Sequence, residues 1–84
     1  MDFRLSKEAE EDLAFFAKTN PKLARKILEL IEKTCENPFS GIGKPEPLKH
    51  SLSGYWSRRI TLEHRMVYRI HQNELIIIQL RFHY

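Results

Sequence analysis

Polar and apolar positions change period several times along the 84-residue chain. Asp2-Phe3-Arg4-Leu5 alternates in polarity and predicts a short strand. Ser6 then stands where an N-cap belongs. Glu8, Glu10, Glu11 and Asp12 follow in the early turns, where the helix dipole favours acids. Ala9, Leu13, Phe16 and Ala17 recur at three- and four-residue spacing, one apolar stripe on a first helix ending near Lys18. Asn20-Pro21 restarts helicity, with Asn as cap and Pro at the first helical position. Leu23, Ile27, Leu30, Ile31 and Thr34 mark the buried face of a second helix. Two helices joined by so short a link predict an antiparallel helical hairpin, both stripes facing a core.

Residues 37–54 break the period. Pro38, Gly41, Gly43, Pro45, Pro47 and Gly54 predict a long extended loop, and loops this long inside a small domain often carry function. Three period-two segments follow: Tyr55–Thr61, Arg65–Ile70, and Glu74 to Tyr84 with a bend near Leu80. The short connections Leu62-Glu63-His64 and His71-Gln72-Asn73 predict antiparallel neighbours. The expected fold class is therefore α+β, in the order β-α-α-β-β-β: an antiparallel sheet with the helical hairpin packed on one face. One domain over residues 1–84 accounts for the length.

Alternation sorts the strand residues into two faces. Trp56, Ile60, Met66, Tyr68, Ile70, Ile76, Ile78, Leu80 and Phe82 form an apolar set expected against the helices. Ser57, Arg59, Thr61, Arg65, Val67, Arg69, Gln79, Arg81 and His83 form the opposite, solvated set. Arg58 falls on the apolar parity as an exception; it either snorkels at an edge or marks a bulge.

Charge sharpens the picture. The net charge is +3, and residues 1–36 are nearly balanced, with seven Lys and Arg against eight Asp and Glu. Residues 37–84 carry seven against three, and all four histidines. A solvated sheet face with four arginines and no strand carboxylate points to a polyanion, because guanidinium groups bind phosphate oxygens through paired donors. Solubility alone would be served by mixed signs. Cys35 is the single cysteine, so no internal disulfide can form; it reads as a small apolar residue on a helix face. With no apolar signal region and no membrane-length run, a reducing, cytoplasmic setting is expected. The histidine spacings match no zinc pattern, and there is no phosphate-binding glycine loop or acidic cluster for two metals, so no metal and no cofactor are expected.

Metal-free RNA cleavage uses the 2′-hydroxyl as nucleophile. It requires a base for that proton, an acid for the 5′-oxygen leaving group, and cations for the phosphorane. Glu46 is the only carboxylate between Glu36 and Glu63, held extended by Pro45 and Pro47 and flanked by Lys44 and Lys49. It is a candidate base, although a loop glutamate is more often simply solvated. An unperturbed histidine can give or take a proton around neutrality, so His83 is the candidate acid, although a penultimate histidine is more often a free end. His50, His64 and His71 read as solvent-facing or structural. A non-catalytic RNA- or ribosome-binding module would use the same basic face without Glu46 or His83.

The runs Gly43-Lys44-Pro45-Glu46-Pro47-Leu48-Lys49-His50, Trp56-Ser57-Arg58-Arg59-Ile60 and Glu63-His64-Arg65-Met66-Val67-Tyr68, with the ending Arg81-Phe82-His83-Tyr84, resemble the YoeB branch of the RelE superfamily. The resemblance extends over about the whole chain. It implies the RelE-like microbial RNase fold and the toxin of a type II toxin–antitoxin system, an endoribonuclease that enters the ribosomal A site and cuts the bound mRNA. Carried over, Glu46 is general base, His83 general acid and Arg65 the group that stabilises the phosphorane. Lys49, Arg59 and Tyr84 hold or orient the RNA. The implied partners are mRNA, the ribosome and a cognate antitoxin, with a homodimer allowed and no membrane involved.

Overall fold

A computed structural model describes residues 1–82. The elements run β1 (Asp2–Leu5), α1 (Lys7–Thr19), α2 (Pro21–Glu36), β2 (Glu46–Pro47), a 3-10 turn (His50–Leu52), β3 (Trp56–Arg59), β4 (Arg65–His71) and β5 (Glu74–Gln79).

Both helices start as their caps dictate. The Ala9 N–H donates to Ser6 Oγ at 3.1 Å, and the Leu23 N–H donates to Asn20 Oδ1 at 3.2 Å. Asn20 serves both helices, because its own N–H donates to the Phe16 carbonyl at 2.7 Å and closes α1. Ala9 and Phe16 of α1 are buried with Ala24, Ile27, Leu30, Ile31 and Thr34 of α2. The stripes thus fall as the spacing predicts, except that Ala24 replaces the half-buried Leu23 and Ala17 is exposed. Cys35 packs partly buried against the core, and burial pushes its thiol above the ordinary value.

The sheet is α+β in character, with strand order β1-β5-β4-β3-β2. It differs from the expected one in two ways. It is mixed, since β1 pairs parallel with β5 while the other neighbours are antiparallel. Alternation sets which residues share a face but carries no information on strand direction. It also gains β2, a two-residue strand inside the loop, with Glu46 opposite Ser57 and Pro47 opposite Trp56. Two residues cannot show a period; the flanking prolines supply the extended backbone instead.

On β3 and β4 the predicted apolar face holds, with Met66 and Tyr68 fully buried against the helices, but Ser57 and Val67 of the predicted solvated set are buried as well. The predicted faces fail on β5. Leu75 and Ile77, not Ile76 and Ile78, enter the core. A register irregularity between Val67 and Tyr68 makes Gln79 the partner of Val67 and Ile77 the partner of Tyr68, so Ile78 is the extra residue of a bulge and Leu80 returns to the core. Glu74 and Ile76 therefore face outward, and Glu74 meets Arg4 of β1 at 3.6 Å. The outward face is not free of acids. Gln72 and Asn73 make a two-residue hairpin turn with φ of 51° and 61°, the left-handed pair such turns demand.

Phe82 is also displaced from its expected place, being 53% exposed rather than packed on the helices. Arg81 leaves the sheet face altogether: its guanidinium lies 3.7 Å from the Phe15 ring centroid of α1 and 4.6 Å from that of Phe82. The cause is the bend expected near Leu80. The strand ends at Gln79, and the Leu80 N–H donates to Asp12 Oδ2 of α1 at 3.0 Å, turning the chain towards the helix. Among the described residues, no helix is long and apolar enough to cross a membrane.

Candidate functional site

Arg58 is the residue that builds the site, and it is neither at an edge nor in a bulge. Its strand pairs regularly with β4, and the side chain is fully buried on the helix side of the sheet. The guanidinium reaches out of the core to hold the loop. Nη1 donates to the Ile42 carbonyl at 2.9 Å, and Nη2 donates to Ser40 at 2.7 Å and to the Asn37 carbonyl. Nε donates to the Tyr68 hydroxyl at 3.2 Å, which in turn donates to the Pro38 carbonyl at 2.6 Å. A cation is tolerated in the core because its donors are met. Burial pushes the Tyr68 phenol above its ordinary value, against the pull of Arg58, so the hydroxyl keeps the proton it donates. Phe39 closes the loop over Trp56, ring centroids 4.8 Å apart.

Gly43 brings the loop to the sheet. Its carbonyl accepts the Arg59 N–H at 2.7 Å. Its φ is +83°, and a Cβ there would lie 3.1 Å from the Arg59 carbonyl oxygen, so backbone shape and space both select glycine. Three residues later the chain pairs as β2, and Glu46 arrives on the outward face.

Glu46 and Arg65 meet there. Arg65 Nη1 donates to Glu46 Oε1 at 3.2 Å, joining residues 19 apart in sequence across β3. The Arg65 side chain is 15% exposed and the Glu46 side chain 56%, so the carboxylate is open to solvent while the guanidinium is held. An ion pair this exposed is worth about 0–1 kcal/mol, so an incoming phosphate competes for Arg65 at little cost. Arg59 is the direct cross-strand partner of Arg65 and is exposed. Like charges so placed repel, and an anion between them relieves the repulsion. Ser57 and Val67 form the floor between these side chains and are buried, although they were expected among the solvated set. Arg69 lies 5.6 Å from the Tyr55 ring centroid on the same face.

Lys49 is exposed at the start of the 3-10 turn, two residues beyond β2. His83 and Tyr84 lie outside the described residues. Phe82, the last of these, brings the chain to Arg65: the Arg65 N–H donates to the Phe82 carbonyl at 3.1 Å. Of the six candidate residues, then, the structure brings Glu46, Arg65 and Arg59 together on one face. It also gives two residues roles that sequence reasoning did not find. Arg58 organises the loop, and its apolar parity was the available signal. His64, read from the sequence only as solvent-facing or structural, accepts the Phe82 N–H on Nδ1 at 2.7 Å.

Residues 5–84 match the family described as "YoeB-like toxin of bacterial type II toxin-antitoxin system". The chain is 51% identical over 79 residues to Toxin YoeB of Escherichia coli (strain K12), covering 94% of both chains. It superposes on a YoeB/ParE toxin from Agrobacterium tumefaciens with a TM-score of 0.96 at 45% identity, covering all of both chains. The toxin in a Staphylococcus aureus YoeB–YefM heterotetramer matches with a TM-score of 0.90 at 41% identity, over 100% of this chain and 98% of that one. A YoeB dimer from the same organism matches equally well, with a TM-score of 0.90.

Proposed function

Because the chain belongs to the YoeB-like toxins of bacterial type II toxin–antitoxin systems, we propose that it is an endoribonuclease that cuts mRNA in the ribosomal A site and so stops translation. The observation that carries this reading is the contact between the exposed Glu46 carboxylate and the half-sequestered Arg65 guanidinium, 3.2 Å apart on a basic sheet face. A 2′-hydroxyl and its neighbouring phosphate stand a few ångströms apart in RNA. A base and a cation at matching separation can address both at once.

Glu46 takes the 2′-hydroxyl proton as that oxygen attacks the phosphorus. Arg65 leaves its resting partner and neutralises the charge gathering on the non-bridging oxygens. His83 gives a proton to the departing 5′-oxygen. Arg59 and Lys49 hold the flanking phosphates, and Tyr84 orients the nucleotide. The scheme consists of proton transfers and fixed charge, so it runs independently of metal.

The S. aureus relative was solved with YefM and also as a dimer. This chain, by the same reading, is silenced by a cognate antitoxin laid across the basic face, and forms a homodimer. A binding module would share the cationic face but would have no use for a carboxylate held at its centre.

The test is a message on programmed ribosomes. Primer extension should map new 5′ ends to the A-site codon, and the same message free in solution should be cut far more slowly. Cuts scattered evenly over free and ribosome-bound RNA would remove the ribosome from the account, and no cuts at all would favour the binding module.

A further inference from the structure

The described chain ends on a clamp. Phe82 carries a φ of +66°, a conformation that residues other than glycine rarely adopt without support. Support comes from both sides of the residue and from two consecutive partners. The Phe82 N–H donates to His64 Nδ1 at 2.7 Å, and the Phe82 carbonyl accepts the Arg65 N–H at 3.1 Å. His64 is itself fixed. Its ring lies edge-on to Phe16 of α1 at 5.0 Å and beside Phe82 at 5.6 Å, with its side chain 12% exposed. Its carbonyl accepts the Ile60 N–H at 2.9 Å and the Thr61 N–H at 3.1 Å, while Thr61 Oγ1 accepts the N–H groups of Glu63 and His64, each at 3.1 Å.

A ring nitrogen accepts a hydrogen bond only through a free lone pair, so the neutral imidazole carries its proton on Nε2, towards Glu63 Oε1 at 3.8 Å. The imidazole is thus used as an acceptor and a packing surface rather than as an acid. With the Leu80 N–H held by Asp12, the segment is anchored twice within three residues, immediately ahead of His83.

We infer that His64 is a positioning residue for the reaction: by accepting the Phe82 N–H it fixes the backbone of the residue that immediately precedes the proposed general acid in sequence. The inference rests on the reading of His83 as general acid. It assigns to His64 a role in kcat rather than in binding.

Asparagine and glutamine separate this role from packing. Asn Oδ1 stands at the position of Nδ1, whereas Gln Oε1 stands at that of Nε2, and both lose the ring contacts with Phe16 and Phe82. On programmed ribosomes His64→Asn should stay within about threefold of the wild-type kcat. His64→Gln should lose about tenfold to a hundredfold in kcat with KM little changed, the scale expected for misplacing a reacting group by an ångström. In a His83→Gln background, His64→Gln should add less than about a twofold further loss, since it acts through His83. Amide exchange should find Phe82 protected in the wild type and in His64→Asn but open in His64→Gln; an unprotected Phe82 in the wild type overturns the inference without any variant. Equal kcat for the Asn and Gln variants, or full additivity with His83→Gln, overturns it too. If His83→Gln alone cleaves at the wild-type rate, the reading of His83 fails and takes the inference with it. An inactive His83→Gln beside equal Asn and Gln variants sinks the inference only.

Discussion

Glu46→Gln and His83→Gln should each lower the rate of message cleavage on the order of a hundredfold or more, the usual contribution of one positioned acid or base. Glutamine keeps the size and polarity of glutamate but cannot accept the 2′-hydroxyl proton. In Glu46→Gln the side chain still reaches Arg65, now through a neutral oxygen, and removes an exposed ion pair of little energetic weight. Folding and ribosome binding should therefore be unchanged, and the loss should fall on kcat. The double variant should be far less impaired than the product of the two losses, because both groups serve one proton-transfer step. Single-turnover cleavage with saturating enzyme measures this directly. A Glu46→Gln protein that binds and cuts at the wild-type rate would leave the carboxylate a bystander.

Arg58→Met should cost about 3 kcal/mol of folding stability, more than replacement of any of the exposed arginines. The side chain fills similar space, so packing is retained. What is lost is the partner of the Asn37, Ser40 and Ile42 carbonyls and of the Tyr68 hydroxyl. An acceptor left without its donor costs about 1–3 kcal/mol, and part is recovered as the loop moves into water. In a domain of this size such a loss lowers Tm by roughly 10 °C or more. The loop released is the one that delivers Glu46, so cleavage should fall even well below the new Tm. Arg58→Lys should rescue little, because one ammonium cannot reproduce the planar fork. Thermal unfolding together with limited proteolysis between residues 37 and 45 would show both effects. Intact loop protection in Arg58→Met would mean that the prolines alone hold it.

These effects mark where sequence pattern carries information and where it stops. The caps at Ser6 and Asn20 were legible because capping is a local property of residue type and spacing. The helix-facing side of β3 and β4 was legible from the alternation of polarity, with Arg58 and Val67 as its exceptions. On β5 the run Leu75-Ile76-Ile77-Ile78 has no alternation to read, so the bulge at Ile78 and the flip it causes had no signal, and Glu74 was assigned no face. Arg81 could not be placed on α1 because the cause is a long-range bond from Leu80 to Asp12, 68 residues away. Glu46 and Arg65 stood out by residue type and by family motif, yet their contact depends on a two-residue strand that no period could announce. Arg58 is the instructive case: its wrong-face parity flagged an exception, but only the packed core reveals that it reaches through to hold the loop.

The central claim is that Glu46 activates the substrate's own 2′-hydroxyl. The most direct measurement is mass spectrometry of the fragments from a short message cut on programmed ribosomes. The account predicts an upstream fragment ending in a 2′,3′-cyclic phosphate, or its opened form, and a downstream fragment beginning with a 5′-hydroxyl. It also predicts no cutting where the cleavage-site ribose is replaced by 2′-deoxyribose, and undiminished cutting in the presence of a chelator on ribosomes that remain assembled. A downstream fragment bearing a 5′-phosphate would show that water attacked the phosphorus instead, and would contradict the account even if the protein is a ribonuclease.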